Sequence, residues 1–417
     1  MSDPTFAGAG YAEGPGFNAM WRELEPLGRC RETSGYRRFA WTPQDADCRA
    51  WFRAQAVARG LHHEIDGNGN QWAWLGDRSA GGAVATGSHL DSVPDGGAFD
   101  GPLGVVSAFA ALDELHRRGA RPQHPLVVVN FTDEEGARFG LSCVGSRLAT
   151  GLLDRAQAAE LRDAKGTGLL HAMERAGHDP EFVGPDPERL AALSAFVELH
   201  VEQGRALADT AHPVGVASAI WPHGRWRFDF SGEGNHAGTT RLADRRDPML
   251  TYAGTVLAAR EEARLAEALA TFGRVDVEPG AVNAIASRVS GWLDSRAADE
   301  ETLDRVVAGI ERAAVERGGR DGVQVAVVRE SFTSRVVFAD ALRDRLARRL
   351  ADRAGPVPVL PTGAGHDAGI LAGSVPTAML YVRNPTGVSH APAEYATEED
   401  CLAGVTALAD VLEELAC

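Results

Sequence analysis

The chain has 417 residues, 44% of them hydrophobic and 24% charged, a composition that excludes a mostly disordered protein and a length that allows two domains. Its 42 basic residues stand against 58 acidic ones, for a formal net charge of −16; that field repels phosphate backbones and anionic membranes, so neither is an expected partner. Five scattered cysteines without a C-x-x-C pair, no basic-then-apolar start, and no run near the roughly eighteen apolar residues of a membrane span point to the reducing cytoplasm.

Residues 1 to about 16 read as a loose tail. Thr42-Pro43-Gln44-Asp45 has the form of a helix start, with a Thr cap, Pro in the first turn and an acid at the third position, and predicts a helix to about Arg59 closed by Gly60. Residues 61–66 and 71–75, around Gly67-Asn68-Gly69, predict a hairpin. An apolar run at 83–86, a helix from Pro102 to Arg118 capped by Gly119, and a valine-rich run at 125–131 then give the strand, helix, strand order of a parallel α/β sheet. Short helices follow between about 152 and 193, and then a third apolar run at 195–199. From about 213 to 329 the pattern changes to longer alternating strands (224–231 and 284–296) and amphipathic helices (about 248–268 and 299–317), in the order strand, helix, strand, strand, helix, strand of an α+β insert. A helix at 340–354, a strand at 377–382 and a helix at 398–415 return to the α/β style.

Three of the runs expected to be parallel strands end in metal-binding residue types: His89 with Asp91, then Asp133-Glu134-Glu135, then Glu198 with His200 and Glu202. Ligands of open α/β sheets gather at the carboxyl ends of strands. A single histidine after a strand is most often a surface or core residue, and paired glutamates on a loop are most often solvated. Three such clusters, with Asp100 in the glycine-rich loop GGAFDGPLG, carry more weight. Imidazole and carboxylate donors suit zinc, manganese, cobalt or nickel, and a carboxylate can bridge two ions where an imidazole cannot. The chain has no H-E-x-x-H, P-loop, G-x-G-x-x-G or G-x-S-x-G motif, which removes support for zincins, kinases, dehydrogenases and serine hydrolases.

The segments 87–94 with 96–101, Asp133-Glu134-Glu135-Gly136-Ala137-Arg138-Phe139, Glu198-Leu199-His200-Val201-Glu202-Gln203-Gly204, His236-Ala237-Gly238-Thr239-Thr240, residues 363–368 and Ser389-His390 resemble the N-carbamoyl-L-amino acid hydrolases and allantoate amidohydrolases, of the superfamily that also holds the aminoacylases and dinuclear zinc exopeptidases. The likeness spans roughly residues 40 to 410. It implies two divalent ions per subunit, zinc first, with manganese, cobalt or nickel open. Asp100 is the bridging ligand, His89 and His200 complete one site, and Glu135 and His390 the other. Glu134 becomes the general base toward a metal-bridging hydroxide, although the reverse assignment, Glu134 as ligand and Glu135 as base, stays open. Asp91 orients His89 from behind. His236 reaches from a partner subunit to stabilise the oxyanion, and Gln203, Asn283, Arg296 and His366 bind substrate, Arg296 gripping its carboxylate. The chain departs from relatives at Gly280, where they commonly carry Asn, and at Ser295, often apolar in them.

The expected fold is thus α/β, a catalytic domain with a mostly parallel central sheet flanked by helices (17–212 and 330–417), interrupted by an α+β lid and dimerisation domain (213–329). The expected reaction is hydrolysis of a linear ureido or amide C–N bond in a small carboxylate substrate, an N-carbamoyl-L-amino acid or an allantoate-like ureido acid. An N-formyl or N-acyl amino acid hydrolase, or a dipeptidase, is the alternative on the same dinuclear site.

Overall fold

The computed structural model describes Phe6 and residues 10–417. Its elements begin with helices α1 (Phe17–Leu24) and α2 (Pro43–Ala58), strands β1 (His62–Ile65), β2 (Gln71–Leu75) and β3 (Ala83–His89), helix α3 (Pro102–Arg117) and strand β4 (Leu126–Phe131). The short helices α4 (Val144–Thr150), α5 (Arg155–Glu160), α6 (Leu169–Arg175) and α7 (Pro187–Ala191) lead to β5 (Leu193–Val201) and β6 (Val214–Ile220). There follow β7 (His223–Ser231), β8 (Asn235–His236), α8 (Pro248–Leu265), β9 (Leu269–Glu278), β10 (Ala284–Ile285), β11 (Arg288–Arg296), α9 (Glu300–Asp321) and β12 (Gln324–Thr333). The chain ends with β13 (Val336–Val337), α10 (Asp340–Ala354), β14 (Val359–Thr362), α11 (Asp367–Leu371), β15 (Thr377–Val382) and α12 (Glu398–Ala416). None of these helices is long and apolar enough to cross a membrane. Two compact units emerge, one ending at Ser218 and resuming at Val337, the other Ala219–Val336.

The first unit is mixed α/β. Its sheet has the order β1-β2-β4-β3-β5-β15-β6-β13, with β14 also paired to β6. The middle, β4-β3-β5-β15, is parallel throughout, and β3, β4 and β15 are buried at every residue, as strands covered on both faces must be. Helix α3 packs on β3 and against α12, and Phe52, Phe109, Leu112, Val128, Leu199, Leu380 and Leu408 meet in the core. Thr42 accepts the Asp45 amide at the start of α2 as its motif requires, and β1 and β2 form the expected hairpin. Strands β6 and β14 had no clear sequence signal.

Three expectations need correction, two here and one at the end of helix α9. The segment read as a loose tail is tied down from Tyr11 onward: the Tyr11 hydroxyl and the Gly14 amide both donate to Asp113, at 2.6 and 3.2 Å. Residues 1–5 and 7–9 of that segment lie outside the described residues. The strand expected over 284–296 is two strands, because Ala284 and Ile285 leave the main ladder to pair with His236 and Asn235.

The second unit is an antiparallel sheet of order β12-β7-β11-β9 with α8 and α9 against one face. Strand β7 alternates, burying Trp226, Phe228 and Phe230 and turning Arg225, Arg227 and Asp229 outward, which lets one face join Val289, Leu293, Val306 and Ile310 in a separate core. Helix α9 runs past the expected end near 317. Gly318 permits close packing, since a Cβ there would fall 2.6 Å from the Val323 carbonyl oxygen, and the left-handed cap is Gly322.

Candidate metal centre

Strands β4, β3 and β5 are parallel neighbours, so their carboxyl ends open on the same edge of the sheet. His89 closes β3 opposite Phe131, and Asp133-Glu134-Glu135 leaves the sheet just beyond. His200 lies near the end of β5, opposite Tyr381 of β15, whose continuation carries His390. Asp100 arrives on the glycine-rich loop after β3. Gly101 has φ +81°, and a Cβ there would sit 2.4 Å from the His89 ring, so only glycine lets this loop approach the imidazole. Asp133 and His390 hold left-handed φ values of 55° and 56° without being glycine, a cost that functional sites often carry.

Asp100 is the hub. Its Oδ1 lies 3.6 Å from His89 Nε2 and 3.2 Å from His200 Nε2, and its Oδ2 lies 3.3 Å from His390 Nε2. His390 Nε2 is also 3.7 Å from Glu135 Oε2. Two ligand groups result, His89 with Asp100 and His200, and Asp100 with Glu135 and His390, each with its donor atoms within 4.8 Å of one another. Glu198, His200 and His366 form a third such group, but Glu198 already uses both oxygens, one on the Ser88 hydroxyl at 2.7 Å and one on the Ala368 amide at 3.0 Å.

The histidines are aimed by the backbone. His89 Nδ1 lies 3.2 Å from the Asp91 carbonyl oxygen and His200 Nδ1 2.8 Å from that of Val201. A carbonyl only accepts, so each Nδ1 carries a proton and leaves Nε2, the nitrogen a cation would take, facing Asp100. Asp91 acts on the loop after β4 as well, its two oxygens accepting the amides of Glu134 at 3.1 Å and Glu135 at 3.0 Å.

The charges fit a divalent-cation site. Asp91, Asp100, Glu134 and Glu135 crowd together, and each ion pair they make is with a histidine. Burial pushes the Glu134 carboxyl well above its usual range, with Asp367, Glu135 and Asp91 adding, and burial with Asp100 pushes Glu135 up to about 7. Contact with Asp100 raises His390 to about 9. His89 rises well above the usual value although burial opposes it, because Glu134, Asp100 and Asp91 surround the ring. Left to itself, the cluster shares protons among groups that repel one another. Cations between them would keep the carboxylates ionised and the imidazoles neutral. Accordingly, among the described residues the buried His89 Nε2, His200 Nε2 and Glu135 Oε1 have no hydrogen-bond partner, which leaves them available to a cation.

Of the residues expected at the site, His89, Asp91, Asp100, Glu134, Glu135, His200, Gln203, His366 and His390 come together in the first unit. Glu134 Oε2 is 3.7 Å from His89 Nε2. Gln203 donates to Asp100 Oδ2 at 2.6 Å and lies 3.2 Å from His390 Nε2, and the His366 ring stands against His200 with centroids 4.5 Å apart. The other three belong to the second unit. His236 and Asn283 are exposed neighbours there, the Ala237 amide donating to the Asn283 carbonyl at 2.9 Å. Arg296, ending β11, donates to both oxygens of Asp294, at 2.8 and 3.1 Å. The sequence reading missed Glu394, whose Oε1 accepts the amides of Phe99 and Asp100 at 2.9 and 2.8 Å; an acid four residues past His390 was its one available signal.

A family model described as peptidase family M20/M25/M40 matches residues 85–414. The chain is 35% identical over 405 residues to the N-carbamoyl-L-amino acid amidohydrolase of Geobacillus stearothermophilus, covering 95% of this chain and 98% of that protein. It is 33% identical to the allantoate amidohydrolase of Bacillus subtilis, covering 92% and 93%. The crystal structure of a hydantoinase/carbamoylase-family amidase from Burkholderia multivorans superposes with a TM-score of 0.85 at 28% identity, covering 96% of this chain and 97% of that one. With this agreement along nearly its whole length, the chain belongs to peptidase family M20/M25/M40 and, within it, to the amidohydrolases of non-peptide C–N bonds.

Proposed function

We propose that this protein hydrolyses the ureido C–N bond of an N-carbamoyl-L-amino acid or an allantoate-like ureido acid, with two divalent cations, zinc first, held by His89, Asp100 and His200 and by Asp100, Glu135 and His390. The observation that carries this reading is the Asp100 carboxylate, which turns one oxygen to each ligand group. When bound, such cations supply Lewis acidity and a water acidified toward neutral pH. Glu134 is the general base. It is 5% exposed, stands outside both ligand groups and has a raised proton affinity, so it can accept a proton from water and return it to the leaving nitrogen. Asp91 fixes the backbone of Glu134 and Glu135 as well as the His89 ring.

The second unit contributes recognition and, in this reading, closes as a lid and dimerises, as expected for residues 213–329. Arg296 binds the substrate carboxylate, its fork oriented by Asp294, while Gln203, Asn283 and His366 bind the remaining polar groups. His236 Nδ1 accepts the Gly238 amide at 3.0 Å, so the neutral ring presents Nε2–H as an oxyanion donor. Sharing of the site between two copies is supported by distance. Arg296 pairs with His223 and Leu269 at one end of the sheet, and Arg288 with Ser231 and Glu278 at the other, with His236 beyond that second end. Eight residues of strand span about 26 Å, too far for one small substrate to touch both, so His236 serves the site of a second subunit. Exposed Leu250, Leu257 and Val315 on the helices and the outer edges of β9 and β12 offer surface for that homodimer. A cytoplasmic enzyme is the setting this chemistry fits.

The test is kcat/KM on N-carbamoyl, N-formyl and N-acetyl amino acids, a dipeptide and allantoate, with metal content measured alongside. A ureido substrate should lead. Best turnover of the dipeptide would replace this reading with a peptidase.

A further inference from the structure

Two of the ligands assigned above, Asp100 and His390, sit on loops, and His390 is half-exposed with a left-handed backbone. Glu394 joins these loops. Its Oε1 accepts the amides of Phe99 and Asp100 at 2.9 and 2.8 Å, and its Oε2 accepts the hydroxyl of Ser389, the residue before His390, at 3.3 Å. That hydroxyl oxygen is also 3.4 Å from Asp100 Oδ2. The Glu394 side chain is buried, at 4% exposure, and the space is reserved for it: a Cβ on Gly97 would fall 2.4 Å from Glu394 Oε1. Burying a carboxylate is unfavourable unless its lone pairs are used. Here they are used on the backbone that carries Asp100 and on the neighbour of His390.

We propose that Glu394 is a positioning residue of the metal centre, fixing the Asp100 loop against the His390 loop so that Asp100 Oδ2, Glu135 and His390 stand ready for one cation. The inference rests on reading Asp100 and His390 as ligands, and it concerns hydrogen bonding rather than charge. A glutamine at 394 keeps an oxygen for both amides and presents its NH2 to Ser389. An alanine keeps neither.

The experiment is Co²⁺ binding to the metal-free full-length protein, measured by competition with a chromophoric chelator, with the melting temperature of the metal-free protein followed in parallel. Glu394→Ala should weaken at least one Co²⁺ equivalent by about 10–100-fold, the range for residues that orient a ligand, and Glu394→Gln should restore wild-type affinity. Gly97→Ala, at an ordinary φ, should weaken Co²⁺ binding by displacing the carboxylate, and should add nothing on top of Glu394→Ala; it also serves if Glu394→Ala does not fold. The inference is overturned if Glu394→Ala or Gly97→Ala leaves both affinities intact, whatever happens to the melting temperature, or if Glu394→Gln binds as weakly as the alanine variant. Asp100→Ala separates the two readings. If it keeps both Co²⁺ ions, the ligand assignment itself falls; if it loses them while Glu394→Ala does not, only the present inference falls.

Discussion

His89 and His200 are buried and each commits one ring nitrogen to a backbone carbonyl, whereas His236 lies on an exposed two-residue strand, its ring held by the Gly238 amide of its own turn. The same contrast extends to their neighbours. Glu134 and Glu135 are pinned through their amides by Asp91, and Asp100 by Glu394, while Asn283 is exposed and Arg296 pairs with an acid two residues away. Groups that must keep like charges at fixed separations are anchored to core backbone, where reorganisation is smallest. Groups that in our reading meet a substrate and a second subunit are left on exposed turns and strand ends.

The largest effect should come from the anchored side. Glu134→Gln keeps the shape and both ligand groups but removes the proton acceptor, so kcat should fall by about 10²–10⁴-fold with metal content unchanged by elemental analysis; full activity would refute its role as base. Next is His236→Ala, expected to lower kcat by about 10²–10³-fold without changing metal content. Mixing it with Glu134→Gln should recover activity through hybrid dimers carrying one intact site, and the absence of recovery would dismiss the shared site. Arg296→Ala should act on binding, raising KM by about 10–100-fold, equivalent to the ~1.5–3 kcal/mol of a charge-assisted hydrogen bond; a fall in kcat at constant KM would place Arg296 elsewhere in the reaction.

The smallest effect probes the anchored framework through its protons. The His178 ring stands edge-on against Trp41, and burial, with Arg49 adding, lowers its pKa from 6.5 to about 4. Between those values the unfolded chain binds a proton that the folded chain refuses, so stability is complete above about pH 6.5 and declines as pH falls toward 4. The ring is only half-buried, which limits the effect to about 1 kcal/mol. His178→Gln should flatten that part of the pH dependence in urea unfolding, and an unchanged slope would assign it to other groups.

Much of this was legible in the chain. The cap at Thr42, the hairpin at 61–75, the buried valine run before Asp133 and the alternation of β7 are local patterns, repeating every two or 3.6 residues, and they appear as read. The strand-end clusters were legible because ligand chemistry restricts residue types to His, Asp and Glu. Less visible were contacts between distant segments. Glu394 meets Asp100 across 294 residues, and Asp91 meets Glu134 across 43, with no periodic trace. The helix expected to end near 317 continues through Gly318, which packs against the Val323 carbonyl, a contact that no local signal reveals.

The sequence by itself determined which residues have the chemistry to hold cations and move a proton, and it did so through residue type, strand-end position and motif. Only the tertiary structure decided how those residues divide the work. Which Asp100 oxygen faces which histidine, which ring nitrogen of His89 and His200 is left for a metal, and which carboxylate pins the loop of Asp100 all depend on where distant backbone amides and carbonyls lie. Those positions are products of the folded sheet and its loops, because hydrogen bonds are directional and act only across the few ångströms that folding closes.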